Sequence, residues 1–418
     1  MQKYSEYSMI RRSYKDYPAD WRIIELGDLL ERVKRPVEVI ANHEYQEIGI
    51  RSHGKGLFYK EPVKGSDLGN KSVFWIEVDC LIINIVFAWE QAVGITTTQE
   101  KGMIASHRFP MWKSKGNVEL NYLLKFFLTP FGKNLLQLAS PGGAGRNRTL
   151  GQHEFNKILV CIPSNIEEQK KIVQILTIWD KAIDLKEKYI YEKKQQKKWL
   201  MQNLLTGKKR LSGFVCDWQE VRLGDIGRFK RGSGFPERYQ NNTHDDIPFY
   251  KVSDLGKLDN KTWLTTANHY INNTICEAIK ARILPANTIV FAKIGAALFL
   301  ERKRLLRYDS CIDNNMMGFY VDESKSKYMF VYYLLEQKRI SQYYNDGPVP
   351  SLSIDSIASI SVLIPRNSEQ TAIAGILSTA DREIDLHEKQ LGELKKQKKA
   401  LMQLLLTGMV RVNMEKVN

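Results

Sequence analysis

The sequence is poor in the residues from which metal centres and disulfide frameworks are built. Its five cysteines are scattered, odd in number and never form a Cys-x-x-Cys pair, and its seven histidines show no spacing typical of metal ligands. These shortages argue against a zinc site and against a disulfide-stapled secreted domain. We therefore expect the chain to bind no metal and to work in a reducing compartment.

Long apolar runs are lacking too. The longest one, from Cys80 to Trp89, is interrupted by Asn84 and falls far short of the ~20 residues that a membrane-spanning helix needs. The N-terminal sequence MQKYSEYSMIRR has no apolar core of the kind found in signal peptides. From these absences we expect a cytoplasmic protein with no membrane partner.

Motifs of known catalytic chemistry are absent or incomplete. There is no Pro-Pro dipeptide, so the Asn/Asp-Pro-Pro-aromatic motif of amino-methyltransferases is missing. The segment from Gly49 to Lys55 has the spacing of a phosphate-binding loop. It is followed by Gly56, however, where such a loop has the Ser or Thr that holds Mg²⁺. Glu323 and Lys325 have the spacing of many nucleases, but so short a pattern arises by chance in a charged chain. We expect no catalytic activity and no bound cofactor in this chain.

Positive charge, in contrast, is in excess. Lys and Arg number 62 against 47 Asp and Glu, which gives a net charge of +15 at pH 7 and a pI near 9.3. A basic surplus favours a polyanionic partner, because neutralising phosphates releases condensed counterions. Charge alone leaves a basic protein without a nucleic-acid role equally open.

The strongest feature of the sequence is a tandem duplication with a unit of about 200 residues. Four blocks recur in the same order and at a nearly constant offset. They begin at Asp20 and Asp217 (DWRIIELGD and DWQEVRLGD), and continue with Ile158–Asn165 and Ile360–Asn367, Glu168–Asp184 and Glu369–Asp385, and Lys197–Gly207 and Lys398–Gly408. Two such copies are too few for a solenoid. We expect two homologous halves related by an approximate two-fold axis.

The middle of each half keeps its order of elements but little identity. Strand-like runs at Leu81–Trp89 and Thr288–Gly295 are followed by helical patterns near residues 120–138 and 327–344. A Gly-rich loop and a strand ending in Ile-Pro close each half. The same order of elements with different sequences is typical of a scaffold that presents two different recognition surfaces. The predicted fold class is α+β, with two mixed α/β domains.

Each half ends in a long predicted helix. After Pro163, a polar cap and two glutamates in the first turn favour a helix start. Apolar residues then recur in 4-3 steps up to Gly207, and the second copy ends at Gly408. The stripe residues are Ile172, Leu176, Trp179, Ile183, Ile190, Leu200 and Leu204 in the first helix, and Ile373, Leu377, Ile384, Leu391, Leu394, Leu401 and Leu405 in the second.

Helices of about 39 residues with a one-sided apolar stripe need a partner. We predict that they pair with each other as an antiparallel coiled coil, which would make a rigid spacer between the globular halves. The alternative is that each helix packs only on its own half. Lysine clusters at Lys193–Lys198 and Lys395–Lys399 are interpreted as solvated faces in preference to phosphate contacts.

The doubled helix motif resembles the specificity subunits of Type I restriction-modification systems. The pattern is Ile-Pro, Glu-Gln-x-x-Ile-x-x-x-Leu, Asp-x-x-Ile-Asp and Leu-Met-Gln-x-Leu-Leu-Thr-Gly. It is found at Ile162–Pro163, Gln169, Ile172, Leu176, Asp180, Ile183–Asp184 and Leu200–Gly207, and again at Ile364–Pro365, Gln370, Ile373, Leu377, Asp381, Ile384–Asp385 and Leu401–Gly408. Trp-x4-Leu-Gly-Asp, which opens both halves, fits as well.

The resemblance implies a non-catalytic subunit that reads double-stranded DNA. The implied domains are a first target-recognition domain at 1–163, a spacer helix at 164–210, a second target-recognition domain at 211–365, a second spacer helix at 366–410 and a tail at 411–418. Each recognition domain would read one half of a split, asymmetric site. The helices would set the gap and dock two adenine-N6 methyltransferase subunits that hold S-adenosylmethionine. Two restriction subunits with ATP and Mg²⁺ would join where the system has them.

Candidate DNA contacts are basic and amide side chains beside glycines, because glycine allows close backbone approach to a duplex. In the first half they are Arg51, Ser52, His53, Lys55, Arg146, Asn147 and Arg148. In the second half they are Lys230, Arg231, Arg238, Tyr239, Lys293, Arg302, Lys303, Arg304, Asn314 and Asn315. Two other functions stay open from the residues: an autonomous DNA-binding protein such as a repressor, and a self-contained nuclease fragment.

Overall fold

The computed structural model describes residues 14–69, 71–142, 148–345 and 347–414. The chain divides into two compact units. The first unit comprises residues 1–187 and 390–418, and the second comprises residues 188–389. Among the described residues, no helix combines the length and the apolarity that crossing a membrane would require.

Both units mix helices with short strands, so the predicted α+β class is confirmed. The helices are α1 (Leu26–Leu29), α2 (Leu120–Phe127), α3 (Pro130–Leu138), α4 (Gln152–Asn156), α5 (Ile166–Leu204), α6 (Asn273–Ala278), α7 (Tyr328–Gln337), α8 (Ile354–Ala358) and α9 (Asn367–Leu406). The two long helices, α5 and α9, each contribute one part to either unit.

The first unit is built around an antiparallel sheet in the order β2-β11-β8-β9. Its strands are β1 (Trp21–Glu25), β2 (Leu30–Val33), β3 (Glu44–Tyr45), β4 (Ile48–Ile50), β5 (Leu57–Tyr59), β6 (Val63–Lys64), β7 (Val73–Trp75), β8 (Leu81–Ile83), β9 (Val93–Ile95), β10 (Ile104–Ser106), β11 (Met111–Ser114) and β12 (Leu159–Pro163). Aromatic side chains of α2 and of strand β11 fill the core beside this sheet.

The second unit repeats that order as β14-β21-β18-β19 and adds β16 beside β19. Its strands are β13 (Gln219–Arg222), β14 (Gly227–Arg231), β15 (Ile247–Tyr250), β16 (Trp263–Leu264), β17 (Tyr270–Ile271), β18 (Ile289–Ala292), β19 (Lys303–Leu306), β20 (Cys311–Ile312), β21 (Met316–Val321) and β22 (Ser361–Ile364). The ladder of β1 with β12 likewise recurs as β13 with β22. The middle regions, which share little identity, therefore keep the order of these four strands.

The repeated Glu-Gln motif fastens the start of each long helix to its unit. Gln169 is fully buried; its amide donates to the carbonyl of Pro163 (2.9 Å) and its oxygen accepts from the backbone N–H of Glu119 (2.9 Å). Gln370 repeats this with Pro365 (2.8 Å) and Lys327 (2.8 Å). A buried amide with both ends satisfied fixes the angle at which the strand, the long helix and the N-terminus of α2 or α7 meet.

The glutamate of the same motif binds an arginine that follows the other long helix in sequence. In the first unit, Arg411 pairs with Glu168 and also with Asp20. In the second unit, Arg210 pairs with Glu369. Both are two-pronged guanidinium–carboxylate contacts, which are more directional than lysine pairs. Each unit is therefore closed by a segment distant in sequence.

In the first unit, the N-terminal part of α5 lies antiparallel to the C-terminal part of α9. Asp180 binds the ammonium of Lys398, and Glu187 binds Lys395 at 2.5 Å, so residue numbers rise on one helix as they fall on the other. Burial on its own would raise the pKa of Asp180, but hydrogen bonds from Lys125 and Lys398 lower it below the usual value.

In the second unit, the remaining parts of the same helices pair in the equivalent register. Asp381 binds Lys197 and accepts from the hydroxyl of Tyr333 at 2.7 Å, while Lys193 pairs with Glu383 at 2.8 Å. The antiparallel pairing predicted from sequence is confirmed. The interpretation of the lysine clusters as simply solvated faces is wrong for these members, because their ammonium groups bridge the two helices.

The predicted apolar stripe faces inward along both helices. Buried members are Ile172, Leu176, Ile183, Ile190, Leu204, Ile373, Leu377, Ile384 and Leu405; half-buried members are Trp179, Leu200, Leu391, Leu394 and Leu401. Leu405 belongs to the core of the first unit together with Ile172 and Leu176. Leu204 belongs to the core of the second unit together with Ile373 and Leu377. Each core thus takes residues from both long helices.

Candidate nucleic-acid interface

Most second-half candidates gather at one end of the five-stranded sheet, called here the second loop edge. Strands β14 and β18 end there, and β19 and β21 begin there, as the pairing of Arg231 with Met317 and of Phe291 with Lys303 requires. Antiparallel order thus brings sequence-distant loops together. The candidates at or next to this edge are Lys230, Arg231, Lys293, Arg302, Asn314 and Asn315.

Two cations at the second loop edge repel each other. Lys293 is half-buried just after β18, and Arg231 is exposed at the end of β14. Burial, and after it the charge of Arg231, lowers the pKa of Lys293 below its usual value, with Asp313 offsetting part of the effect. Within the described ranges, no carboxylate forms an ion pair with either group. An anion placed here would relieve the repulsion.

The backbone of Asn315 is held on both sides by hydrogen bonds. The carboxylate of buried Asp313 accepts from the N–H of Asn315 at 2.9 Å, and the N–H of Lys293 donates to the carbonyl of Asn315 at 2.9 Å. Burial raises the pKa of Asp313. The side chains of Asn314 and Asn315 remain exposed, so amide groups suited to base edges are presented from a fixed backbone.

The run Arg302-Lys303-Arg304 does not act as one basic patch. Arg302 is exposed, but Lys303 is only 1% exposed, and its ammonium binds Glu301 and the carbonyl of Lys338. Arg304 is half-buried and donates to the carbonyls of Asn260 and Lys303. Lys303 therefore sits in the interior, a position that does not fit its predicted contact with DNA, and the guanidinium of Arg304 is already engaged. Arg302 immediately precedes β19, whereas the side chain of Lys303, the first residue of that strand, is buried.

Arg238 and Tyr239 lie apart from those strand ends, on a 3₁₀ turn at Glu237–Tyr239. Arg238 is exposed, with its guanidinium 4.8 Å from the ring centroid of half-buried Tyr239. The segment before this turn is tied to the edge, because the N–H of Ser233 donates to the carbonyl of Ile312 at 2.9 Å.

The first unit has an equivalent first loop edge, where β2 and β8 end and β9 and β11 begin. The N–H of Ile85 donates to the carbonyl of Arg108 (3.0 Å), and the N–H of Leu150 donates to Ile85 (2.8 Å). In the second unit, the backbone N–H of Lys293 donates to the carbonyl of Asn315 (2.9 Å), and the N–H of Leu352 donates to the carbonyl of Lys293 (2.8 Å). These bonds make Ile85 the counterpart of Lys293, and Arg108 the counterpart of Asn315.

Predicted first-half contacts converge on the connection between β8 and β9. The N–H of His53 donates to the carbonyl of Glu90 (2.7 Å), and the Ser52 hydroxyl donates to the Glu90 carboxylate (3.0 Å). Arg148 is half-buried, and its guanidinium lies 5.9 Å from the Trp89 ring centroid.

Arg51 and Lys55 are exposed in the same segment as Ser52 and His53. Arg51 also donates to the carbonyl of Leu57 and lies over the ring of Phe58. Arg146 and Asn147 lie outside the described residues.

Sequence reasoning missed Arg108, an exposed arginine that precedes β11 at this edge. Its carbonyl accepts from the N–H of Ile85, so its backbone occupies the position that Asn315 has in the other unit. The sequence signal was weak, because the residues around Arg108 and Asn315 share no pattern.

In the parts of the chain that the structure describes, no cluster of three or more His, Cys, Asp or Glu side chains is arranged to hold a metal ion.

Comparison with known families decides the assignment. The profile of the Type I restriction modification DNA specificity domain matches residues 18–193 and again residues 216–396. The chain belongs to this family. It is a Type I restriction-modification specificity subunit with two DNA recognition domains, and the family matches fall on the two duplicated halves.

Relatives in the family match over nearly full length. The putative type I restriction enzyme MjaX specificity subunit of Methanocaldococcus jannaschii is 23% identical over 441 residues, covering 99% of each chain. A solved chain from a type I R-M system structure has a TM-score of 0.61 at 15% identity, covering 94% of this chain and 99% of that one. The S subunit from M. genitalium has a TM-score of 0.55 at 14% identity, covering 96% and 98%. These structures share the fold of this family member.

Replacing Arg231 with glutamine is expected to raise the pKa of Lys293 toward the usual lysine value, because a neighbouring positive charge is removed while burial stays the same. An NMR titration of ¹³C-labelled lysine side chains measures this. Arg228→Gln, at another exposed arginine of β14, is the matched control and leaves Lys293 unchanged. An identical titration of Lys293 in wild type and Arg231→Gln would mean that burial alone sets its pKa.

Proposed function

We propose that this specificity subunit reads a bipartite, asymmetric DNA site, with one half read at each loop edge. The observation that carries the proposal is that both units present the same strand ends with different side chains. Arg108 stands in the first unit where Asn315 stands in the second. Arginine suits guanine and asparagine suits adenine in the major groove. A non-palindromic site has two different halves, so it needs two recognition domains that share a fold and carry different base-contacting side chains.

The long helices would fix the gap between the half-sites. Helix α5 has 39 residues, which is about 58 Å at 1.5 Å per residue. One turn of B-DNA is roughly 34 Å, so a rod of this length is sufficient to hold two readers about a turn apart. We infer that the gap between half-sites is a property of the helix pair and not of either recognition domain.

The chain would act without chemistry of its own. We infer that methyltransferase subunits bring S-adenosylmethionine and transfer its methyl group to adenine N6. Restriction subunits with ATP and Mg²⁺ would join in systems that have them. Support comes from relatives named as specificity subunits.

Mapping N6-methyladenine across the genome of cells that contain the chain and its methyltransferase tests the DNA-reading proposal. The expected result is one split motif. Asn315→Ala is expected to relax one position in one half of that motif, at a cost of ~1–3 kcal/mol, and Arg108→Ala is expected to relax the other half. Relaxation of both halves by either variant would contradict the assignment of one reader to one half-site.

Exposed apolar side chains on the outer face of α5 suggest where a methyltransferase would dock. In the first unit, Ile178 is 65% exposed and Leu185 is 67% exposed. Their seven-residue spacing places them two turns apart on one face, which is the spacing of a helix-docking stripe. In the second unit, Tyr191 and Leu386 are exposed on their helices as well. We propose that these faces receive helices of the partner subunits.

The docking proposal predicts that Ile178→Asp combined with Leu185→Asp abolishes co-purification with the methyltransferase. A charged face cannot pack against an apolar partner helix. Ile178→Met with Leu185→Met keeps the face apolar and is the matched control. Light-scattering mass of the mixture gives the readout, and an unchanged melting temperature shows that the chain itself is intact. Retention of the complex by the double aspartate variant would place the interface elsewhere.

A further inference from the structure

Each loop edge ends in a projecting hairpin of the same design. The first edge hairpin (residues 84–92) joins β8 to β9, and the second edge hairpin (residues 293–302) joins β18 to β19. Each contains a 3₁₀ turn, at Ala88–Glu90 and at Ala296–Leu300, followed by a residue in the left-handed region, Gln91 or Glu301. A left-handed residue other than glycine is uncommon and needs support from its surroundings.

In both hairpins, the side chain of the left-handed residue supplies that support through hydrogen bonds. Gln91 donates to the carbonyl of Phe127, the last residue of α2, at 2.8 Å, and to the carbonyl of Thr129 at 3.4 Å. Glu301 accepts from the N–H groups of Ser341 (2.8 Å) and Ile340 (3.2 Å), just after α7. Both hairpins are therefore anchored by one polar side chain at or just beyond the C-terminus of the equivalent helix. An anchored turn is rigid enough to hold its tip in one place.

The anchored tips present apolar side chains to solvent. Phe87 is 42% exposed in the first edge hairpin. In the second edge hairpin, Phe299 is 48% exposed and the adjacent Leu300 is 56% exposed. Isolated exposed apolar residues are common. Here, however, each hairpin carries such a residue at its 3₁₀ turn: Phe87 directly precedes the first turn, and Phe299 lies within the second. An exposed arginine lies near each turn: Arg302 follows in the second edge hairpin, and the carbonyl of Arg108 accepts from the N–H of Ile85 in the first.

Apolar tips flanked by cations match the chemistry of a DNA groove. Cations hold the phosphates at the rim, while a phenylalanine makes apolar contact with a thymine methyl group or enters between base steps. We propose that each edge hairpin enters a groove tip first, and that Phe87 and Phe299 are apolar base contacts, one for each half-site. This inference rests on the proposed DNA-reading function and names the part of each recognition domain that touches bases without a hydrogen bond.

The test compares Phe299→Ala with Arg231→Ala in the full chain bound to its methyltransferase, by anisotropy with a cognate duplex over a range of salt concentrations. Phe299→Ala is expected to weaken binding about tenfold, which is about 1.4 kcal/mol, without changing the slope of log K against log salt. Arg231→Ala is expected to reduce that slope by about 0.9, because one phosphate contact is lost. Phe299→Leu keeps an apolar tip and should retain most of the affinity.

Base substitution identifies which contact the tip makes. A 2-aminopurine whose fluorescence rises on binding of wild type but not of Phe299→Ala indicates insertion between base steps. Loss of affinity when one dT is replaced by dU, seen with wild type only, indicates a methyl contact. Phe87→Ala should produce its effect in the other half-site. Each of these results supports an apolar base contact.

Three results would overturn the inference: unchanged affinity of Phe299→Ala, an equal loss on non-cognate DNA, or a changed salt slope. In each case wild type would still bind its cognate duplex specifically, and the proposed function would stand. Absence of specific binding by the wild-type complex would instead refute the proposed function itself. Phe299 is 48% exposed and meets the ring of Tyr344 edge-on at 5.6 Å. The melting temperature of the alanine variant is therefore expected to change little, which separates loss of contact with DNA from loss of fold.

Discussion

The antiparallel pairing of α5 with α9 is the constraint on which both units depend. The two half-buried carboxylates, Asp180 and Asp381, occupy the same place in the duplicated motif, and each binds a lysine of the opposite helix. Apolar side chains of the same helices complete the cores, Leu405 in the first unit and Leu204 in the second. Neither recognition domain can therefore be assembled from one contiguous stretch of sequence.

This arrangement explains why the helix motifs are duplicated closely while the middle of each half is not. Gln169 and Gln370 must meet the same backbone groups to set the angle between strand and helix. Arg210 and Arg411 must meet equivalent glutamates, Glu369 and Glu168. Residues at the loop edges meet solvent, and by our proposal DNA, so they are free to diverge. Packing constrains the sequence of the helix motifs, whereas by our proposal the DNA site constrains the residues at the loop edges.

The long helices, their stripe and their antiparallel partner were predictable, because a 4-3 apolar repeat over 39 residues demands a similar partner. The duplicated order of elements was predictable for the same reason. The sharing of each core between both helices was not, since periodicity shows that a face is buried and not which core receives it. At the edges, Lys303 was named with Arg302 and Arg304 as a candidate DNA contact, yet its side chain is buried. Arg108 was missed because its equivalence to Asn315 exists only in backbone hydrogen bonds.

Hydrogen–deuterium exchange of two equivalent variants tests the central claim most directly. Leu405→Ala and Leu204→Ala each remove a buried leucine near the end of a long helix, at a cost of roughly 2–5 kcal/mol. If each core is shared as described, Leu405→Ala accelerates exchange in residues 14–187, far away in sequence, and Leu204→Ala accelerates it in residues 211–365. If Leu405→Ala instead loosens residues 211–365 and leaves residues 14–187 protected, the shared-core account is contradicted.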